Sequence, residues 1–248
     1  MNVVYSYIYG TNEEYYTQAR NLFESIKKNG STAHRVLFAD SKAFDNLKDC
    51  PHFDQVILKN YTNPLDQKNL KFKFDVLETF GKDWDNSIWL DTDMYCFMNM
   101  DNLFNLLERF DLLWSPAHGR EGRNKDKDLV YPEIPDDFPH PNAGLIGLNN
   151  KIYKKWCDLY FNQYDKYPEE YSYLESEQQI MRKVLWENKF NSLLLPEEYN
   201  FNDMVSLSNW GKNKWIAKPK IFHYTLNKHN YPEICTAIEG NFYNAQKG

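Results

Sequence analysis

The side chains best placed to do chemistry are two carboxylates. Asp91 and Asp93 stand one residue apart at the end of an apolar run, Ser87-Ile88-Trp89-Leu90. In an extended segment, side chains at i and i+2 point to the same side, so both can converge on one hard divalent cation. Two carboxylates leave coordination positions for water, another side chain or the oxygens of a diphosphate. Asp-x-Asp also arises by chance, commonly as a solvated turn, so its meaning depends on the elements that carry it.

The first half of the chain alternates short apolar runs with helical patterns, which predicts strands joined by helical crossovers and a mostly parallel α/β sheet. Val3–Tyr9 reads as the first strand. Asn12–Asn29 reads as a helix with Tyr15, Ala19, Leu22, Phe23 and Ile26 at its apolar positions and Gly30 as its stop. Arg35–Ala39 and Gln55–Leu58 follow as strands, Asn69–Phe80 as a helix closed by Gly81, and Ser87–Leu90 as the buried strand that delivers the aspartates. Ligands of open parallel sheets bind beyond the carboxyl ends of the strands, where Asp91 and Asp93 fall.

Beyond the strand Asp111–Ser115, the stretch from Pro116 to Pro141 holds five prolines and a mixed-charge run from Arg120 to Asp128. A loop of that length is either a solvated excursion or a flap over the site. Leu145–Leu148 reads as a strand, Ile152–Tyr164 and Glu175–Lys189 as helices, and Ser192–Leu195 and Lys220–Tyr224 as strands that finish the sheet system. With no internal repeat and no low-complexity linker, residues 1–248 read as one domain.

Composition narrows the classes. Aromatics are 17% of the 248 residues, enough for a substantial core, while the mean hydropathy of -0.73 comes from a polar surface. A formal charge of -6 argues against a general grip on nucleic acid. Cys50, Cys96, Cys157 and Cys235 form no Cys-x-x-Cys pair, so they read as four buried thiols in a reducing, cytoplasmic compartment. The start of the chain lacks a basic n-region and a small-residue cleavage site, and no apolar stretch is long enough to span a membrane.

In order, the chain presents Tyr9-Gly10-Thr11-Asn12, Lys71, Asp91-Thr92-Asp93, Asn142-Ala143-Gly144, Glu177-Gln178, Leu195-Pro196 before Tyr199-Asn200, and His223-Tyr224. This set resembles the GT-A glycosyltransferases, most closely the glycogenin and galactosyltransferase type grouped as glycosyltransferase family eight. The resemblance rests on motif order and spacing over about residues 1–230. It implies a GT-A fold and a nucleotide diphosphate sugar, with UDP the expected nucleotide, held through Mn²⁺ or Mg²⁺. It also implies transfer with retention to a glycan, lipid-linked or protein acceptor.

By the same resemblance, His223 joins Asp91 and Asp93 as a metal ligand, its nitrogen suiting Mn²⁺ better than Mg²⁺. Tyr9, Gly10 and Thr11 fall where base and ribose are held, Lys71 near the donor's sugar and phosphate, and Thr92 between the aspartates; Asp75 is a further candidate on the Lys71 helix. Asn142, Ala143 and Gly144 precede an apolar strand and line the donor sugar, where an amide offers both donor and acceptor. Glu177 and Gln178 stand where Asp-Gln is usual and contact the sugar or steady the oxocarbenium-like state. Lys228 falls five residues after His223 as a cation for the β-phosphate, although the chain continues Lys228-His229-Asn230 where the family usually has Lys-Pro-Trp.

Two other readings stand beside this one. A nucleotidyltransferase acting on a sugar phosphate would share a nucleotide-binding α/β sheet, but it normally carries a Gly-rich basic loop after the first strand, which Tyr9-Gly10-Thr11-Asn12 is not. A non-catalytic carbohydrate-binding protein would use the aromatic excess for glycan contact.

Overall fold

The computed structural model describes residues 1–61, 72–117, 131–167, 176–202 and 219–224. Strand β1 (Asn2–Ile8) is buried at six of its seven positions. Val3, Tyr5 and Tyr7 join one core cluster and Val4 and Ile8 another, on opposite faces of the sheet. A strand covered on both faces needs apolar residues throughout, and that is why the sequence shows a continuous run there.

Helix α1 (Glu13–Lys28) starts where the Asn12 side chain accepts the N–H of Glu14, has Glu13 and Glu14 in its first turn, and ends with Lys27 and Lys28. Charges of that order complement the helix dipole. Gly30, at φ +74°, takes the left-handed conformation that ends the helix. The chain continues through β2 (His34–Ala39), α2 (Ser41–Leu47), β3 (Gln55–Leu58), α3 (Phe72–Phe80), β4 (Asn86–Leu90), β5 (Met94–Cys96) and α4 (Asp101–Leu107). Then come β6 (Leu112–Pro116), β7 (Pro141–Asn149), α5 (Asn150–Lys166), α6 (Ser176–Glu187), β8 (Ser192–Leu194), β9 (Phe201–Asn202) and β10 (Ile221–His223).

The main sheet has the order β3-β2-β1-β4-β7-β6-β8. It is parallel except at β7, which runs antiparallel to both β4 and β6. Residues of α1, α2 and α4 fill the cluster on one face, and those of α3, α5 and α6 the cluster on the other. A second sheet, β5-β10-β9, carries the chain away from β4.

Several elements differ from the sequence reading. The strand expected at Leu145–Leu148 begins at Pro141, so Asn142-Ala143-Gly144 lies inside β7 and not before it. The last strand belongs to the second sheet and not to the main one. The described helix α3 starts at Phe72 and α6 at Ser176; residues 69–71 and Glu175 lie outside the described residues, as does the charged run from Arg120 to Asp128. Cys96 and Cys157 are buried free thiols in the clusters on opposite faces of the sheet, while Cys50 is only half-buried, contrary to expectation, and Cys235 lies outside the described residues. No described helix is long and apolar enough to cross a membrane.

Candidate active site

Strand β4 stops at Leu90 and the chain turns through Asp91, Thr92 and Asp93 before β5. The aspartates therefore sit on a turn, not on an extended continuation of the strand, because β5 must leave to pair with β10 in the other sheet. Backbone bonds fix the turn at both ends. Asp91 N–H donates to the Gly144 carbonyl (2.9 Å), and the Asp93 carbonyl accepts from Tyr224 N–H (3.0 Å).

The second bond delivers His223. Its Nε2 lies 3.3 Å from Asp93 Oδ1, and one ligand atom from each of Asp91, Asp93 and His223 falls within a 4.8 Å cluster. On the other side of the ring, Nδ1 is 3.0 Å from Asn200 Oδ1, while Asn200 Nδ2 donates to Ser115 Oγ (2.8 Å). With its amide nitrogen used on Ser115, Asn200 presents its oxygen to the ring, so Nδ1 carries a proton, and in the neutral ring it is the Nε2 lone pair that faces the carboxylates. Burial pushes the His223 pKa down, but the Asp93 and Asp91 carboxylates together outweigh it and the net shift is upward. A divalent cation and a proton compete for that nitrogen.

Gly144 makes room for this ring. A Cβ there would come within 2.6 Å of Met94 Cε, 2.8 Å of His223 Cε1 and 2.9 Å of Asn142 Oδ1. Asn142 Oδ1 accepts the Gly144 N–H (2.8 Å), which turns the amide back onto its own strand.

Lys73, which the sequence reading did not single out, lies under the pair. Its buried Nζ stands 3.0 Å from Asp91 Oδ1, 2.9 Å from Glu177 Oε1 and 2.9 Å from the Ala143 carbonyl it donates to. It also lies 4.9 Å from the centre of the Trp89 ring. Burial disfavours its charge, but Asp91 and Glu177 more than offset that and hold the pKa up. Burial pushes the Glu177 carboxyl up to about 7, against the opposing pull of Lys73. Glu177 Oε1 is close enough to Lys73 to pair with it yet has no aligned hydrogen bond among the described residues. Asp91 is steadied further by Trp89 Nε1, which donates to Oδ1 at 2.8 Å.

Beside the acidic turn lies a cleft of about 170 Å³, walled by Tyr7, Tyr9, Tyr15, Gln18, Phe72 and Trp89, with Asp91, Thr92 and Asp93 completing the lining. The Tyr9 ring stacks on Tyr7 at 6.0 Å. Gly10, at φ +81°, forms the turn into α1: its N–H donates to Asp40 Oδ2 (2.8 Å) and its carbonyl accepts from Tyr16 Oη (2.6 Å). Such a turn needs a residue without Cβ.

The structure thus brings Asp91, Thr92, Asp93, His223, Asn142, Gly144 and Glu177 to one region, with Tyr9 and Gly10 at its edge. Thr11 is exposed and does not line the cleft. Ala143 buries its methyl group in the core and gives its carbonyl to Lys73. Gln178 is half-buried beside Glu177, and Asp75 half-buried on α3. Lys71 and Lys228 lie outside the described residues. In the sequence Asn200 stands out only as a member of the motif order. Tyr15 was legible only as one apolar position among several, and the Asn200 contact joins distant parts of the chain.

No family model matches the sequence, and no curated protein matches it. Solved structures do. Mouse xyloside xylosyltransferase 1, in its apo form, superposes with a TM-score of 0.65 at 13% identity, covering 92% of this chain and 99% of that one. The galactosyltransferase LgtC, solved with donor and acceptor sugar analogs, gives 0.63 at 12% identity and covers 96% of each chain. The bifunctional glycosyltransferase WbbM, also apo, gives 0.58 at 16% identity over 90% of this chain and 45% of its own. The chain has the GT-A fold of these transferases, as the motif order implied.

Proposed function

We propose that this chain is a metal-dependent glycosyltransferase that moves a hexose from a UDP-sugar to a hydroxyl of a glycan, lipid-linked or protein acceptor, with retention. The observation that carries the reading is the convergence of Asp91, Asp93 and His223 at an aromatic cleft beyond the carboxyl ends of β1 and β4. Two carboxylates and an imidazole with its far nitrogen tied to Asn200 are a donor set that suits Mn²⁺, and Mg²⁺ less well. A cation held there supplies Lewis acidity to the oxygens of a departing diphosphate.

The chain's own residues do the rest. Lys73 holds Asp91 and Glu177 in place and keeps a positive charge beneath the reacting region. Glu177, Gln178 and Asn142 are assigned to the donor sugar, Glu177 with an oxygen available to a sugar hydroxyl. Tyr9, Gly10, Thr11, Thr92, Ala143, Gly144, Lys71 and Lys228 are assigned to the rest of the nucleotide sugar, Ala143 and Gly144 through backbone. The bond from the anomeric carbon to the β-phosphate oxygen breaks, the bond to the acceptor oxygen forms on the same face, and the acceptor proton passes to the departing phosphate. A second carboxylate free to act as nucleophile is lacking among the described residues here, since Asp91 and Asp93 are assigned to the cation. That favours front-side attack over a covalent intermediate. The buried free thiols Cys96 and Cys157 suit a reducing, cytoplasmic setting.

Incubation with UDP-glucose or UDP-galactose and Mn²⁺ tests the reading. UDP release is expected, and NMR of the product should give the donor's anomeric configuration. Pyrophosphate release from a nucleoside triphosphate, or an inverted product, contradicts it.

A further inference from the structure

Trp89 is a core residue whose one polar atom is spent on the candidate site. It is 2% exposed, and its ring is held 5.3 Å from that of Tyr5, 5.9 Å from that of Phe72 and 4.9 Å from the Lys73 ammonium. Its Nε1 donates to Asp91 Oδ1 at 2.8 Å. The strand dictates this reach, because side chains at i and i+2 point to the same side and Trp89 joins the core cluster on the face of β4 opposite Ile88 and Leu90. Phenylalanine or leucine would serve for packing there. Tryptophan adds an N–H that donates and cannot accept.

Asp91 receives a second donor at the same atom. Lys73 Nζ lies 3.0 Å from Oδ1, and two donors take up both lone-pair sites of that oxygen, while no described residue donates to Oδ2. The last torsion of an aspartate is broad and roughly two-fold, so nothing within the residue decides which oxygen it presents. The two donors decide it. On the proposed reading that Asp91, Asp93 and His223 hold a divalent cation, on which this inference rests, the partners behind a ligand orient it for the ion. We infer that Trp89 is a positioning residue of the cation site: it pins Asp91 Oδ1 and leaves Oδ2 as the oxygen free for the cation. The indole N–H and the charged ammonium have no lone pair for the ion, so neither can replace the ligand it holds.

The test replaces Trp89 with benzothienylalanine, which keeps the shape of the ring and carries sulfur in place of the N–H, and separately with fluorotryptophan, which keeps the N–H. Mn²⁺ binding to the metal-free full chain is measured by calorimetry. The benzothienyl protein is expected to bind Mn²⁺ about tenfold more weakly than the parent, Trp89→Phe at least as weakly, and the fluorotryptophan protein like the parent. Parent-like affinity in the benzothienyl protein overturns the inference, since the ring then acts by packing alone, and so does an equal loss in the fluorotryptophan protein. Either result leaves the reading of the cation site intact. A parent protein that binds no Mn²⁺ overturns that reading itself, and this inference with it.

Discussion

The imidazole of His223 can serve a cation only while its outer nitrogen carries the proton, and Asn200 decides that. Replacing Asn200 with Ala removes the acceptor at 3.0 Å and should weaken Mn²⁺ binding by about 10–100-fold, read by calorimetry; unchanged affinity would mean the ring needs no such support. Lys73 carries a different kind of prediction. It is the shared cation of the half-buried Asp91 and the buried Glu177, so Lys73→Met strands the Glu177 carboxylate and should cost about 3–5 kcal/mol in urea unfolding. Adding Glu177→Gln should recover part of that loss, and no recovery would argue against a shared pair. Asp91 and Asp93 were legible because a strand end announces itself in sequence. Lys73 was not, because a lysine between Phe72 and Phe74 looks like any solvated lysine until the fold sets two distant carboxylates around it.

At the scale of elements, α1 was readable nearly to the residue, since its cap, end charges and Gly30 all mark its limits. The short pieces β5, β9, α2 and α4 were not, because two to seven residues hold too little periodicity and their existence depends on partners elsewhere. Core packing carries the longer elements. Trp156 of α5, fully buried against Phe74 and Phe190, should cost about 3–5 kcal/mol when replaced by Ala, measured by denaturant unfolding. Between β2 and β3, Arg35 bonds to Asp54 and holds its carboxyl below the usual range, burial opposing. That contribution is present in full above the ordinary carboxyl value of about pH 4 and is lost as the pH falls through the lower folded value. Asp54→Asn should therefore flatten the acid limb of melting temperature against pH, and an unchanged limb would remove Asp54 from the account.

For the whole molecule, the alternation of strands and helices made the main sheet legible, while the reversal at β7 and the second sheet were hidden. Both are consequences of long-range pairing, and both matter: β7 brings Gly144 opposite Asp91, and β10 brings His223 to Asp93. The acidic turn, the glycine gap and the histidine thus come from three distant segments that only the complete fold assembles. The central claim is that this junction grips a cation against a diphosphate, and UDP binding by thermal denaturation, with and without Mn²⁺, tests it most directly. At about one hundred times its dissociation constant, UDP should stabilise the protein by about 2.7 kcal/mol when Mn²⁺ is present, with most of that lost in EDTA and in Asp91→Asn. Equal stabilisation in EDTA and in the variant would contradict the claim.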